Sequence, residues 1–420
     1  MQKINDSITL HYIPMKKLKT STIGVYIHRP LTADDASKNA IIPRILKRGC
    51  ALCPSREEIE NYLDECYGAE LRGGCFKKGE DQVIYFTLES ITEKYAPDDE
   101  PIFEKMLALM MSVIFEPIEE SGGFSEEFVR QEKKNAIEAI ESIKNDKRSY
   151  ASHRCVEEMC KGTAYAVASY GTTDGINDTD SKSLYEYYKN MIFKSGIDIF
   201  ISGECDEEKT AELIKKHLPN NSFTKSNIKI EGILQKSGDV NYIEEKMDVT
   251  QGKLSMGFTT GIDRASDDYY CLMVANSIFG GGAHSKLFNN VREKLSLCYY
   301  ASSSVDRYKT FIVVNAGIEF ENYQKAYDEI LHQLETVKKG DISELEYVSS
   351  INAIVNSLKS CFDDQYAMQS YELSECILKT GIGLEDAIEK IKSVTIDDVV
   401  RVWKNVRLDT VYFLKGADAQ

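Results

Sequence analysis

Six histidines occur in the chain (His11, His28, His153, His217, His284 and His332), and no two stand four residues apart. A helical zinc site of the hydrolytic kind needs two imidazoles at i and i+4, with a Glu between them to take a proton from water. No single helix of this sequence can build one; only distant histidines converging in space would. No apolar run approaches the ~18 residues that cross a membrane, and the start, MQKINDSITLHYIPMKKLKT, lacks the long apolar stretch of a secretory signal. There is no G-x-S-x-G, no Walker loop and no dinucleotide fingerprint after a strand. An independent enzyme of some other chemistry is thus left without a motif. Carboxylates are plentiful in so acidic a chain and point to nothing by themselves. The eleven cysteines are scattered and odd in number, and the one C-x-x-C, Cys50 to Cys53, has no second pair. They read as reduced thiols in a cytoplasmic protein, mostly filling core.

What is present is a soluble composition, 42% hydrophobic and 28% charged over 420 residues. That length suits two domains of about 200 residues each. The net charge of −16 repels nucleic-acid phosphates and anionic lipid, so neither is an expected partner, whereas a basic peptide is compatible.

The chain repeats itself once. SLYEYYKNMIFKSGIDIFISG, ending at Gly203, and TIDDVVRVWKNVRLDTVYFLKG, ending at Gly416, each read as a helix, a strand and a glycine, with Tyr188-Lys189-Asn190 standing where Trp403-Lys404-Asn405 stands. Upstream of each lies a long helix pattern, through Phe128, Val129, Ala136, Ile137 and Ile140 in the first half and through Leu345, Val348, Ile351, Val355 and Leu358 in the second. Earlier still come the helical segments IFEKMLALMMSVIF and YQKAYDEILHQLETV, then the strand patterns QVIYFTLES and TFIVVNAGI. Ser55 with Glu58, and Thr395 with Asp398, read as helix-opening caps. The polar, turn-rich stretch at 218–242 reads as a linker between domains 1–217 and 243–420. Strands joined by hairpins and alternating with helix pairs give an α+β class, each half a mainly antiparallel sheet packed on helices.

Three segments carry a family resemblance. FGGGAHSKLFNNVREKLSLCYYASS, residues 279–303, presents a glycine triplet (Gly280, Gly281, Gly282), Ser285, Leu287-Phe288, Arg292-Glu293-Lys294 and Tyr299 in one order and spacing. NAIIPRILKRGC, residues 39–50, ends in Arg48-Gly49-Cys50. FSEEFVRQEKKNAIEAI, residues 124–140, is a charged helix pattern. Together these resemble the pitrilysin/insulinase-type (M16, subfamily B) peptidases, whose fold is that of the mitochondrial-processing-peptidase-like metallohydrolases: two homologous domains. The resemblance extends to the bacterial peptidase-like proteins associated with aminopentanol modification of elongation factor P.

The resemblance implies the following. Aligning Arg48-Gly49-Cys50 with the family's Lys-Gly-Thr-like turn puts Ala40, Pro43 and Arg44 where the family has His, Glu and His. Arg130, or in another register Glu132, falls at the distal glutamate ligand. Ala and Pro cannot ligate zinc, Arg44 brings a cation to the metal's place, and Pro43 is best tolerated in a first helical turn. No metal or other cofactor is therefore expected in this chain, which would be inactive alone. Arg292 and Tyr299 match the family's pair that binds substrate and stabilises the tetrahedral intermediate. Gly280 to Gly282 and Ser285 accompany them at the substrate, although the glycines also read as a close-packing connection. Strand alternation puts Tyr299 and Tyr300 on opposite faces, so that only one can serve. Gln82 to Ser90 resembles the edge strand to which a substrate peptide adds, through Val83, Tyr85 and Thr87. The expected role is the zinc-less Arg/Tyr subunit of a heterodimeric zinc peptidase acting on a peptide or small protein, the zinc residing in a homologous partner. The other reading is a non-catalytic structural or assembly homologue. Without the motif, Arg292 is an ordinary cation near a helix C-terminus and Tyr299 an ordinary strand residue.

Overall fold

The computed structural model describes the whole chain apart from residues 98–99, 226, 229–231, 233, 235–237 and 417–420. The expected linker at 218–242 falls partly on these and so lies in part outside the described residues. The chain divides into two compact units that do not follow a single cut: residues 1–141, 167–230 and 361–374 form one, and 142–166, 231–360 and 375–420 the other. Each unit includes a segment from the opposite half of the chain.

Unit 1 holds a six-stranded sheet made of β1 (Gln2–Lys3), β2 (Ile8–Pro14), β3 (Thr20–Pro30), β4 (Glu70–Lys78), β5 (Asp81–Ile91) and β8 (Gly196–Gly203), ordered β1-β2-β8-β3-β5-β4. A short ribbon, β6 (Glu119–Glu120) with β7 (Gly123–Phe124), stands apart. Unit 2 holds β9 (Asn241–Met247), β10 (Gly252–Thr259), β11 (Cys298–Val305), β12 (Ile312–Ile318) and β13 (Arg407–Gly416), ordered β11-β12-β10-β13-β9. The two sheets share a wiring. β2 runs parallel to β8 as β9 does to β13, and every other pair is antiparallel. QVIYFTLES and TFIVVNAGI are the matching strands β5 and β12, and SGIDIFISG and TVYFLKG fall in β8 and β13. The fold is the expected α+β one, with sheets packed on helices.

Apolar patterning explains the layers. In unit 1, Ile23, Val25 and Ile27 of β3 and Ile197, Ile199 and Ile201 of β8 are buried together with the helix Ile102–Phe115, which supplies Met106, Leu107, Leu109 and Met110. A fully buried aliphatic side chain contributes roughly 1.5–3 kcal/mol. Burial on this scale fixes which face of each strand points inward. The opposite face of each sheet takes the segment lent by the other half of the chain. In unit 1 the Tyr26 hydroxyl donates to Gln369 Oε1 at 2.9 Å, and Gln369 Nε2 donates to Ser202 at 2.8 Å. A Cβ on Gly24 would collide with that Gln369 amide. In unit 2 the helix Lys147–Met159 packs on β10 and β13, and a Cβ on Gly257 would stand 2.6 Å from Met159 Sδ. A glycine in the central strand of each sheet thus admits the exchanged segment.

Two expectations fail here. β5, read as an edge strand, is paired to β3 on one side and to β4 on the other along its length. Its backbone groups are already used, so Val83, Tyr85 and Thr87 cannot receive an added strand; Val83 and Thr87 are also buried. The edge is β4. Pro43, read as suited to a first turn, lies well inside the helix Ala33–Leu46, which opens ten residues earlier on a cap in which Thr32 accepts from the Asp35 N–H.

Candidate functional site

In unit 2 the helix Asp268–Gly280 runs into the glycine triplet. Gly280 ends it against β11, and a Cβ there would meet Ser303 N at 2.7 Å and Leu287 Cδ1 at 2.8 Å. One on Gly281 would meet Ser277 Cα at 2.6 Å, and one on Gly282 would touch only the His284 ring, at 3.2 Å. Gly280 and Gly281 are accordingly required by close packing alone. His284 Nε2 lies 3.1 Å from Ser277 Oγ, at the C-terminal turn of the same helix. Burial lowers its pKa from the ordinary value, the Ser277 backbone and Glu346 opposing. Ser285, expected at the substrate, is wholly buried; its hydroxyl accepts from the Phe288 N–H at 3.3 Å and starts the next turn. That burial removes it from any substrate surface.

The segment Leu287–Lys294 is a π-helix, closed by a bond from Leu295 N–H to Asn290 O at 3.1 Å. Leu287 and Val291 are buried, which anchors one side, and Asn290 donates to Gln333 at 2.9 Å. A wide turn of this kind often marks a functional position. Arg292 projects from it half-exposed, its guanidinium 4.7 Å from the Phe288 ring and its Nε 3.5 Å from Glu293. Ser296, at φ 52°, reverses the chain into β11.

Pairing on β11 then slips. Cys298 faces Ile318 and Tyr300 faces Gly317, so Tyr299 is the extra residue of a β-bulge. Simple alternation fails at a bulge, which re-aims side chains, and the expectation of opposite faces is replaced by two different fates. Tyr299 is 56% exposed and donates to Glu319 at 2.5 Å. Tyr300 is half-buried under the Arg148 guanidinium, 4.2 Å from its ring centre. Arg292 and Tyr299 line one pocket of about 380 Å³ with Glu293, Ser296, Leu297, Cys298, Glu319 and Asn322. Burial pushes the Cys298 thiol up to about 11, the Arg292 charge opposing. Glu319 and Asn322 were not singled out in the sequence, since only the β11–β12 pairing brings them beside residues some twenty positions earlier.

In unit 1 the positions aligned with the family's His, Glu and His hold none of those donors. Ala40, Pro43 and Arg44 lie along the helix Ala33–Leu46, and Pro43 is buried. Arg130 points to solvent, its side chain 78% exposed beside Glu127. Glu132 is the inward residue of that helix, and Arg48 Nε sits 2.8 Å from its carboxylate. Arg48 also donates to Gln131. The Glu132 carboxylate is thus neutralised by a guanidinium. Lys47 stands close by, its pKa lowered by burial and by the Arg44 charge, with Glu132 opposing. Cations at three positions and no imidazole do not fit zinc.

Fold and site together define a duplicated α+β peptidase-like protein whose metal position is lost. The sequence model of the Peptidase M16 inactive domain matches residues 179–354. A relative described as the probable inactive metalloprotease YmfF, from Bacillus subtilis (strain 168), is 35% identical over 411 residues, covering 98% of this chain and 96% of that protein. The crystal structure of a conserved protein from Enterococcus faecalis V583 superposes with a TM-score of 0.92 at 28% identity, covering 100% of this chain and 99% of the other. That of a peptidase M16 inactive domain from Pseudomonas fluorescens superposes at 0.78 with 17% identity over 99% and 97%, a likeness of fold alone. The chain belongs to the M16 peptidase family, as an inactive member lacking the zinc site. No helix among the described residues is long and apolar enough to cross a membrane.

Proposed function

We propose that the chain is the non-zinc-binding subunit of a two-subunit M16 peptidase, giving Arg292 and Tyr299 to substrate held at a homologous partner that carries the metal. The observation that carries this reading is that Arg292 and Tyr299 open onto one pocket while Ala40, Pro43 and Arg44 stand where the metal helix would have its donors and Arg48 occupies the Glu132 carboxylate. A guanidinium grips a carbonyl oxygen through a rigid fork, and a phenol adds a donor aimed at developing oxyanion charge. Both stand on a π-turn and a bulge anchored by buried side chains, so their geometry is set before substrate arrives. Strand addition, if the substrate uses it in unit 1, falls to the edge strand β4 instead of β5. The acidic charge supports a peptide over a nucleic acid, and eleven free thiols support a reducing, cytoplasmic setting. More finely, we place the chain with the bacterial peptidase-like proteins associated with aminopentanol modification of elongation factor P. A lost metal helix beside a retained Arg-Glu-Lys and Tyr supports that placement, and no reaction follows from it.

The test is affinity purification from the native cell with identification of stoichiometric partners, then peptide cleavage by the reconstituted pair. A partner with His-x-x-Glu-His and zinc-dependent cleavage by the pair only is the expected result, with Arg292→Ala slowing it on the order of a hundredfold. One feature favours the alternative of a structural homologue: Tyr299 and Arg292 already have carboxylate neighbours, Glu319 and Glu293, within their own unit. A pair whose activity ignores Arg292→Ala would establish that alternative.

A further inference from the structure

Three cations crowd the end of the helix Ala33–Leu46 in unit 1. Arg44 lies in its last turn, Lys47 is its C-cap and Arg48 follows. Arg48 is matched by Glu132. Among the described residues no carboxylate lies within 4 Å of Arg44 or Lys47, and neither side chain donates to any other group. The negative end of a helix favours a cation, but that does not explain two half-buried cations at i and i+3 with no contacting carboxylate. Their placement is specific. A Cβ on Gly73 of β4 would stand 3.2 Å from Lys47 Cδ, so the lysine stem crosses the strand where a side chain is missing. Two residues on, on the same face, Cys75 feels the Arg44 charge. The cations therefore lie along β4, the edge strand of the sheet.

We infer that Arg44 and Lys47 form a binding site for a peptide carboxylate at the abandoned metal position. Where zinc would act on a neutral carbonyl, a guanidinium fork and an ammonium instead select a full negative charge. β4 offers an extended peptide a backbone to pair with, and the cations beside it set which peptide is held. The carboxylate comes from an acidic side chain or from a chain terminus, and the chemistry at the site is the same. The inference holds whether or not a zinc-bearing partner exists, because every residue in it belongs to unit 1.

The experiment is calorimetric titration of the full chain, alone, with three extended ten-residue peptides. One carries a central Glu and an amidated end, one a central Gln and an amidated end, and one a central Gln and a free carboxylate. At least one carboxylate-bearing peptide is expected to bind tenfold or more tightly than the neutral one. Preference for the first identifies a side-chain ligand, and preference for the third a terminus. In the Arg44→Gln/Lys47→Gln protein the preference is expected to vanish while the thermal midpoint holds or rises, because the repulsion between the two cations is gone. Arg44→Lys, which keeps the charge and loses the fork, is expected to retain part of it. Equal binding of all three peptides, no binding of any, or a preference that survives the double substitution overturns the inference.

Discussion

The Tyr299 hydroxyl donates to the Glu319 carboxylate at 2.5 Å across the paired strands β11 and β12. Glu319 immediately follows β12, and Tyr299 is the unpaired residue of the bulge opposite. The backbone on both sides thus sets the contact. A hydrogen bond to a carboxylate, and the charge itself, raise the phenol's pKa above its ordinary value. The single phenol proton is committed to Glu319, so Tyr299 can donate to a developing oxyanion only by turning away from that carboxylate.

Glu319→Gln keeps the shape of the contact and removes the charge. The Tyr299 pKa is expected to fall back toward its ordinary value, readable by NMR titration of labelled tyrosine with Tyr299→Phe to assign the signal. Both side chains are at the surface, so the unfolding midpoint is expected to stay in place. An unmoved pKa would mean that the contact does not persist in solution.

The glycine triplet separates packing from substrate binding. Gly280→Ala forces a methyl against the Ser303 backbone at 2.7 Å, and overpacking of this kind costs about 1–3 kcal/mol. Gly282→Ala meets only the edge of the His284 ring and is expected to cost far less. Urea unfolding of the two variants measures the difference. Equal effects would show that the approach of the Asp268–Gly280 helix to β11 is looser than described.

Order along the chain made the duplication legible: Tyr188-Lys189-Asn190 lie in the last turns of one helix and Trp403-Lys404-Asn405 at the end of another, and each helix precedes a matching strand. Alternation in QVIYFTLES identified a strand but not its neighbours. Its partner β4 carries Gly73-Gly74, which weakens any strand signal, and the edge that the resemblance implies lies one strand further out than β5. The exchange of residues 142–166 and 361–374 between units leaves no local mark. Gly24 and Gly257 are traces of it, their missing side chains mattering through groups more than ninety positions away. The loss of zinc donors was plain from residue types. That Arg48 neutralises Glu132 was not, since 84 positions separate them, and the same separation hid that Glu132 and not Arg130 faces inward.

The Arg48–Glu132 pair has side-chain exposures of 18% and 9%. Removing one partner of a largely buried pair leaves the other charge stranded, at a cost of about 3–5 kcal/mol, while replacing both with apolar groups is often neutral. Arg48→Ala is expected near the lower figure, and Arg48→Met/Glu132→Leu to regain most of it. A double-mutant cycle by urea unfolding gives the coupling. Additive losses would deny the pair. Zinc content by elemental analysis is expected to be the same in the wild type and in Arg48→Met/Glu132→Leu, and zinc that is lost with that substitution would contradict the donor set.

The buried centre of the unit 1 sheet sets a pH dependence. His28, on β3, is bracketed by Asp81 of β5 at 2.5 Å and Asp198 of β8 at 3.0 Å, and Asp198 also meets His11 of β2 at 2.8 Å. Burial pulls the His28 pKa down, but the Asp81 charge and the bonds to Asp198 and Asp81 outweigh it and push it up to about 10. Burial would raise the Asp198 pKa, yet its bonds to His11 and His28 hold it well below the usual carboxylate range. The unfolded histidine titrates near ~6.5, so the folded chain binds the extra proton between that pH and about 10 and loses stability as pH rises through the interval. Below it the His28 contribution is complete. Asp198 works in the opposite sense: its contribution is present above the ordinary carboxylate pKa and is lost as pH falls toward its depressed folded value. Urea midpoints of the wild type and His28→Gln are therefore expected to differ most around pH ~5–6 and to converge toward pH ~10. A gap that stays constant over that range would show that His28 is neutral in the folded sheet and that the four strands are held by hydrogen bonds without charge.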